Sequence, residues 1–165
     1  MLPLDTIVCG DAFELIRDIP DDTVHLVITS PPYFQQRDYG AGIGAEERVE
    51  DYVDVLLRMF RECLRIVRPD GSIVFNVGDK YLQGNLSLIP YRFAIAASEA
   101  PGVSLVNEVT WVKLNPTPRQ FRRRLVSSTE PFFHFVTSGD YYYDMSAFLA
   151  DDAQPRRRSN GRNVG

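Results

Sequence analysis

Apolar positions along this 165-residue chain fall into short continuous runs that alternate with stretches of helical spacing. The run at residues 6–9, followed by Gly10-Asp11, predicts a strand, a turn and a helix over residues 12–16, closed by Pro20-Asp21-Asp22. Residues 24–29 are nearly all apolar, the pattern of a strand with helices on both faces of a parallel sheet. Residues 34–48 are polar and glycine-rich and predict a loop. Apolar residues at 53, 56, 57, 60, 64 and 67 then follow helical spacing over residues 49–67. Pro69-Asp70-Gly71 predicts a turn before a buried strand at 72–77. Ser87 is placed to cap a helix from Pro90 to about residue 100, stopped by Pro101-Gly102. A strand at 104–112 follows, then a polar, basic loop over 115–128. Residues 131–137 and 141–144 predict a hairpin across Ser138-Gly139-Asp140. Alternating strand and helix signals give an α/β class with a mostly parallel sheet and an antiparallel pair at one edge.

Composition narrows this little, except in its charge distribution. With 44% hydrophobic and 24% charged residues the chain is neither disordered nor membrane-spanning, and no apolar run reaches the ~18 residues of a spanning helix. Met1-Leu2-Pro3-Leu4-Asp5 lacks the basic region of a secretion signal. Cys9 and Cys63 have no metal-ligand spacing and read as reduced core thiols, so a cytoplasmic location and no metal site are expected. The net charge of −4 hides an asymmetry. Residues 1–112 hold 9 Lys/Arg against 17 Asp/Glu, whereas residues 113–165 hold 9 against 5 and carry net +4. A basic C-terminal part points to a polyanionic partner. Beyond residue 150 the composition becomes linker-like, giving a main unit over 1–150 and a flexible basic tail, or the start of a further region, over 151–165.

The candidate chemistry lies in Thr29-Ser30-Pro31-Pro32-Tyr33, directly after the apolar run at 24–28. Ligands of open α/β sheets bind outside the C-terminal ends of strands. An exocyclic amine is a poor nucleophile because its lone pair is delocalised into the ring. Oxygen acceptors on one side of it, here Ser30 Oγ and the Pro31 carbonyl, would pyramidalise the nitrogen and free that pair. Pro31-Pro32 keeps the segment extended and its carbonyls aimed. Tyr33 offers a face on which a base flipped out of a duplex can stack. The plain alternative is a proline-rich loop with a surface tyrosine. His25 and His134 read as core or sheet-face residues, and Trp111 as core.

These residues resemble the amino-group DNA methyltransferases of the β-type motif order, whose Asp/Asn/Ser-Pro-Pro-Tyr signature is matched by Ser30-Pro31-Pro32-Tyr33. Gly10-Asp11-Ala12, Ile43-Gly44 with Glu46 and Tyr52, Asn76-Val77-Gly78-Asp79 with Tyr81, Trp111-Val112-Lys113 with Asn115 and Pro116, Glu130, and Tyr142-Tyr143-Asp144 resemble further family segments in the family's order. The resemblance implies a Rossmann-like methyltransferase fold, incomplete in these residues, that uses S-adenosyl-L-methionine on double-stranded DNA within a restriction-modification system. It implies catalytic roles for Ser30, Pro31, Pro32 and Tyr33, and cofactor contacts at Asp11, Ala12 and Thr29. A serine in the first signature position resembles the N4-cytosine enzymes; N6-adenine methylation is the alternative.

The family's glycine-rich cofactor motif, Asp-Pro-Phe-x-Gly-x-Gly, does not occur in these 165 residues. Gly40-Ala41-Gly42-Ile43-Gly44 is no substitute, because polar loop rather than a strand precedes it. A second chain or a C-terminal segment carrying that motif is therefore an expected partner, and a homodimer is also open. A DNA-binding or split subunit without activity of its own is the non-enzymatic alternative. Lys113, Arg119, Arg122, Arg123 and Arg124, interleaved with Gln120 and Phe121, are the candidate phosphate-gripping residues. Asp11 has an equally simple reading as the N-cap of the following helix.

Overall fold

The computed structural model describes residues 4–37, 42–115 and 123–152. Its first element, α1 (Ala12–Leu15), is a single turn that tightens into a 3-10 turn at Ile16–Asp18. The strand expected at residues 6–9 does not form; Ile7 and Cys9 are exposed, and among the described residues no strand pairs with the segment. An apolar run becomes a strand only where a partner accepts its hydrogen bonds.

The sheet begins with β1 (Val24–Thr29). Helix α2 (Val49–Ile66) follows, burying Tyr52, Val53, Leu56, Met59, Phe60, Cys63 and Ile66 along one stripe. Strand β2 (Val67–Asn76) starts earlier than expected and takes in Pro69-Asp70-Gly71. The register accounts for the turn signal there. Val24 pairs with Val67 but Leu26 with Ser72, so residues 68–71 bulge opposite His25 alone. A small hairpin, β3 (Tyr81–Leu82) and β4 (Asn85–Leu86), leads to α3 (Ile89–Ser98). Ser87 does not cap α3. The Asp79 carboxylate does so, accepting from Leu88 N and Ile89 N, both at 3.1 Å.

Strands β5 (Ser104–Val112) and β6 (Thr129–Val136) complete a four-stranded mixed sheet of order β1-β2-β6-β5. The β1–β2 pair is parallel and the other two pairs are antiparallel. The expected hairpin of residues 131–144 is replaced by this β5–β6 pairing. Residues 141–144 form no strand; Tyr142 N donates instead to Asp70 O at 2.9 Å, across the sheet. Helix α4 (Met145–Asp152) follows and runs through the boundary expected at residue 150.

One face of the sheet carries the core. Ile73, Phe75, Phe133 and Phe135 meet Phe60 of α2 and Phe93 of α3, with ring centroids of Phe60 and Phe135 4.8 Å apart. On the opposite face the register aligns Leu26 with Ser72 and Ile28 with Val74, then Val74 with His134 and Asn107, and Asn76 with Phe132 and Val109. This face is open: Leu26 is 53% exposed, Ile28 65% and Trp111 57%. Trp111 therefore lies outside the core, against Phe132. Among the described residues β1 is also an edge strand, paired on one side only. A strand with a doubly buried sequence is here bare on one face and one edge.

Candidate active site

The C-terminal end of β1 delivers Ser30 to an open, polar cleft of about 530 Å³ lined by Ser30, Pro31, Pro32, Tyr33, Gln36, Arg37, Lys113 and Glu130. The segment's shape comes from the prolines and from what clamps them. Tyr52 of α2, fully buried, donates its hydroxyl to Pro32 O at 2.9 Å. Burial, reinforced by Glu46 and Tyr33, holds that hydroxyl above the ordinary tyrosine range, so it stays a donor. From the loop after the signature, Gly44 (φ +95°) packs its Cα where a Cβ would stand 3.1 Å from both Pro32 O and Tyr33 O. Its amide donates to Glu46 Oε2 at 2.8 Å. The loop backbone approaches the signature as closely as only glycine permits.

Tyr33 is fixed at both ends. Its ring lies against Gly78, where a Cβ would come 2.3 Å from Cδ2 and 2.4 Å from Cε2. Its hydroxyl lies 2.5 Å from Asn76 Oδ1 and 3.0 Å from Glu130 Oε2. Ser30 Oγ is 3.1 Å from the same Asn76 oxygen and 3.3 Å from Tyr33 Oη. Asn76, at the end of β2, is the buried polar side chain among the described residues, 4% exposed. Its Nδ2 donates to Pro131 O at 3.0 Å. Glu130, near the start of β6, also takes an ion pair from Lys113. Two neighbouring strand ends, β2 and β6, thus hold the signature that β1 presents. In sequence, Asn76, Gly78 and Glu130 stand only in family-like segments, with no sign of a role in this cleft. The one available signal is Asn76 itself, a polar residue inside the apolar run at 73–77.

Two of the expected cofactor residues, Ala12 and Thr29, line a second cleft. It measures about 560 Å³, lies alongside β1, and is bordered by Thr6, Val8, Gly10, Ala12, Leu15, Val27 and Thr29 among others. Gly10 packs against Leu15, whose Cδ1 would stand 3.0 Å from a Cβ at that position. Asp11 does not line the cleft; it is the N-cap of α1, with Oδ1 accepting from Phe13 N at 2.8 Å and Glu14 N at 3.2 Å.

The three candidate basic residues that are described, Lys113, Arg123 and Arg124, differ in their surroundings. Lys113 is committed to Glu130 within the polar cleft, and the Arg124 guanidinium stacks 3.5 Å above the Tyr81 ring. Arg123 is exposed, while Arg119 and Arg122 lie outside the described residues. Both histidines sit on the sheet rather than in the cleft: His25 Nε2 is 3.2 Å from Arg68 Nη1, and His134 Nε2 is 2.9 Å from Ser72 Oγ. Cys63 is buried, its thiol pushed up to about 12 by desolvation, whereas Cys9 is exposed and not a core residue. Among the described residues no cluster of His, Cys, Asp or Glu is arranged to hold a metal, and no helix is long and apolar enough to cross a membrane.

Comparison with known proteins agrees with this geometry. The family model for N6/N4 methyltransferases, described as DNA methylase, matches residues 24–163. The Type II methyltransferase M.SfiI of Streptomyces fimbriatus is 33% identical over 178 residues, covering 94% of this chain and 42% of that protein. The solved PvuII DNA methyltransferase, named as cytosine-N4-specific, superposes with a TM-score of 0.73 at 26% identity over 86% of this chain and 52% of its own. A putative DNA modification methylase from Thermus thermophilus, solved with S-adenosyl-L-methionine, gives 0.62 at 26% identity over 88% of this chain and 58% of its own. The chain thus spans about half the length of these relatives. The mixed sheet with helices packed on one face is part of their Rossmann-like methyltransferase fold. This chain belongs to the N6/N4 DNA methylase family.

Proposed function

We propose that this chain is the catalytic part of an S-adenosyl-L-methionine-dependent DNA methyltransferase that modifies N4 of a cytosine flipped from duplex DNA. The observation that carries this reading is Ser30 Oγ, exposed at a strand's C-terminal end beside two rigid prolines and a clamped tyrosine. Ser30 Oγ and the Pro31 carbonyl accept the amine's two N–H bonds, which turns the nitrogen lone pair out of the ring. Tyr33 supports the base by stacking, and Pro32 holds the turn that aims these groups. The bound cofactor supplies a methyl group on a sulfonium. That methyl would pass to the amine nitrogen with the cofactor leaving as a neutral thioether, and the extra proton on nitrogen would leave to solvent. No histidine is needed for that proton.

The cleft beside β1 fits the adenosine end of this cofactor, with Gly10, Ala12 and Thr29 on its wall and Asp11 next to them in the chain. The methionine end needs the glycine-rich motif that these 165 residues lack. The edge of β1, unpaired among the described residues, and the bare Leu26 and Ile28 suit a further strand carrying that motif, from a second chain or another segment. Lys113 and Arg119, Arg122, Arg123 and Arg124 grip DNA phosphates in this reading.

Cytosine is favoured over adenine by the serine at position 30 and by the specificity named for the PvuII enzyme. Mass spectrometry of nucleosides from DNA treated with the intact enzyme tests the choice. The reading predicts 4-methylcytosine; 6-methyladenine in its place would establish the alternative, and no methylated base would establish a subunit without catalysis.

A further inference from the structure

A serine hydroxyl can donate or accept, so its use as an amine acceptor requires that its own proton be directed elsewhere. Pro131 O is a carbonyl and only accepts, so the Asn76 atom 3.0 Å from it is Nδ2. That bond fixes the amide's orientation and turns Oδ1 toward Ser30 Oγ at 3.1 Å and Tyr33 Oη at 2.5 Å. An amide oxygen also only accepts. The single proton of Ser30 therefore has an acceptor behind it, nearer than the other one in reach, Tyr33 Oη at 3.3 Å, and the oxygen's lone pairs are left for the cleft. Tyr33 Oη has a second acceptor in Glu130 Oε2 at 3.0 Å, so it does not compete for all of the Asn76 oxygen. Glu130 is held in turn by Lys113.

We propose that Asn76 is a positioning residue that sets the hydrogen-bond polarity of Ser30, making it an obligate acceptor and the cleft selective for a base with an amine rather than a carbonyl. This rests on the proposed amine methylation and adds a cause for selectivity within it. Asn76 does not touch the base; it acts through Ser30. An amine offers N–H to the Ser30 lone pairs, whereas a carbonyl at the same position meets a lone pair with a lone pair. Polar groups left unmatched in this way reject an isosteric competitor strongly.

The test measures binding rather than turnover. The intact enzyme is titrated with its DNA target carrying cytosine or uracil at the modified position, or adenine and hypoxanthine should adenine prove to be the base. Comparing the ratio of the two affinities between variants removes the ease with which each mismatch opens. Wild-type enzyme is expected to prefer the amine. Asn76→Ala leaves the Ser30 proton only the longer contact to Tyr33 Oη at 3.3 Å, from which it can turn toward a carbonyl, and the preference should shrink by roughly tenfold or more. Asn76→Asp keeps acceptor oxygens facing Ser30 and should retain the preference, although it loses the bond to Pro131. An unchanged preference in Asn76→Ala overturns the inference and leaves the methylation reading standing. Equal loss in Asn76→Ala and Asn76→Asp marks a merely structural asparagine and also overturns it. If Asn76→Ala does not fold, Asn76→Asp alone decides on the same terms. A wild-type enzyme without preference overturns the amine reading itself, and this inference with it.

Discussion

The ring of Tyr33 rests directly on Gly78, so closely that a single added carbon would stand 2.3 Å from Cδ2. Because the Tyr33 hydroxyl is tied to Asn76 and Glu130, the ring has no free end by which to yield. Gly78→Ala should therefore displace the signature, costing ~1–3 kcal/mol as overpacking does. Both thermal melting and single-turnover methyl transfer should fall. A variant matching wild type in both would show that the ring is not held there.

Tyr52→Phe removes the donor to Pro32 O while keeping the ring packing. A carbonyl left without its partner costs ~1–3 kcal/mol, visible as a lower urea midpoint at unchanged slope. The Pro31-Pro32 turn should also loosen, lowering the transfer rate more than DNA affinity. A neutral substitution would mean that the prolines alone hold the turn.

His134 gives a pH signature. Burial against Ser72 lowers its pKa below 6.5, so the unfolded chain takes up this proton at a higher pH than the folded one. Stability should fall as pH drops through about 6.5, the unfolded value, toward the lower folded value. His134→Gln should flatten that part of the curve when urea midpoints are compared at successive pH values. Parallel curves for the two proteins would contradict the assignment.

Arg122, Arg123 and Arg124 replaced by alanine should weaken DNA binding and reduce its salt dependence, by about one unit of log–log slope for each phosphate no longer neutralised. A slope identical to wild type would remove these residues from the DNA interface. Arg124 stacks on Tyr81, so Arg124→Ala alone should also disturb the β3–β4 hairpin.

What is legible in the sequence follows the range of its signals. β1, α2 and β5 coincide with expectation almost to the residue, because each is a long run of uniform periodicity. The hairpin expected at 131–144 does not form because alternating aromatics signal a strand without naming its partner. Phe133 and Phe135 belong to β6, which pairs with β2 and β5, whereas Tyr142 reaches back to Asp70. Proximity along the chain assigns the cap of α3 to Ser87, but the cap comes from Asp79, nine residues before the cap residue Leu88. In the site, Ser30-Pro31-Pro32-Tyr33 is readable as a contiguous string. Its supports are not, since Asn76 and Glu130 reach it across dozens of residues of chain. Such contacts exist only after the strands align.

Ser30 as an acceptor for the reacting amine is the claim on which the proposed chemistry stands or falls. Single-turnover methyl transfer by the intact enzyme, with Ser30→Ala set against wild type on pre-bound DNA, measures that directly. Loss of one positioned oxygen at the reacting centre should cut the rate by ~10²–10³-fold while DNA affinity changes little. A Ser30→Ala enzyme that transfers methyl groups at the wild-type rate would contradict it.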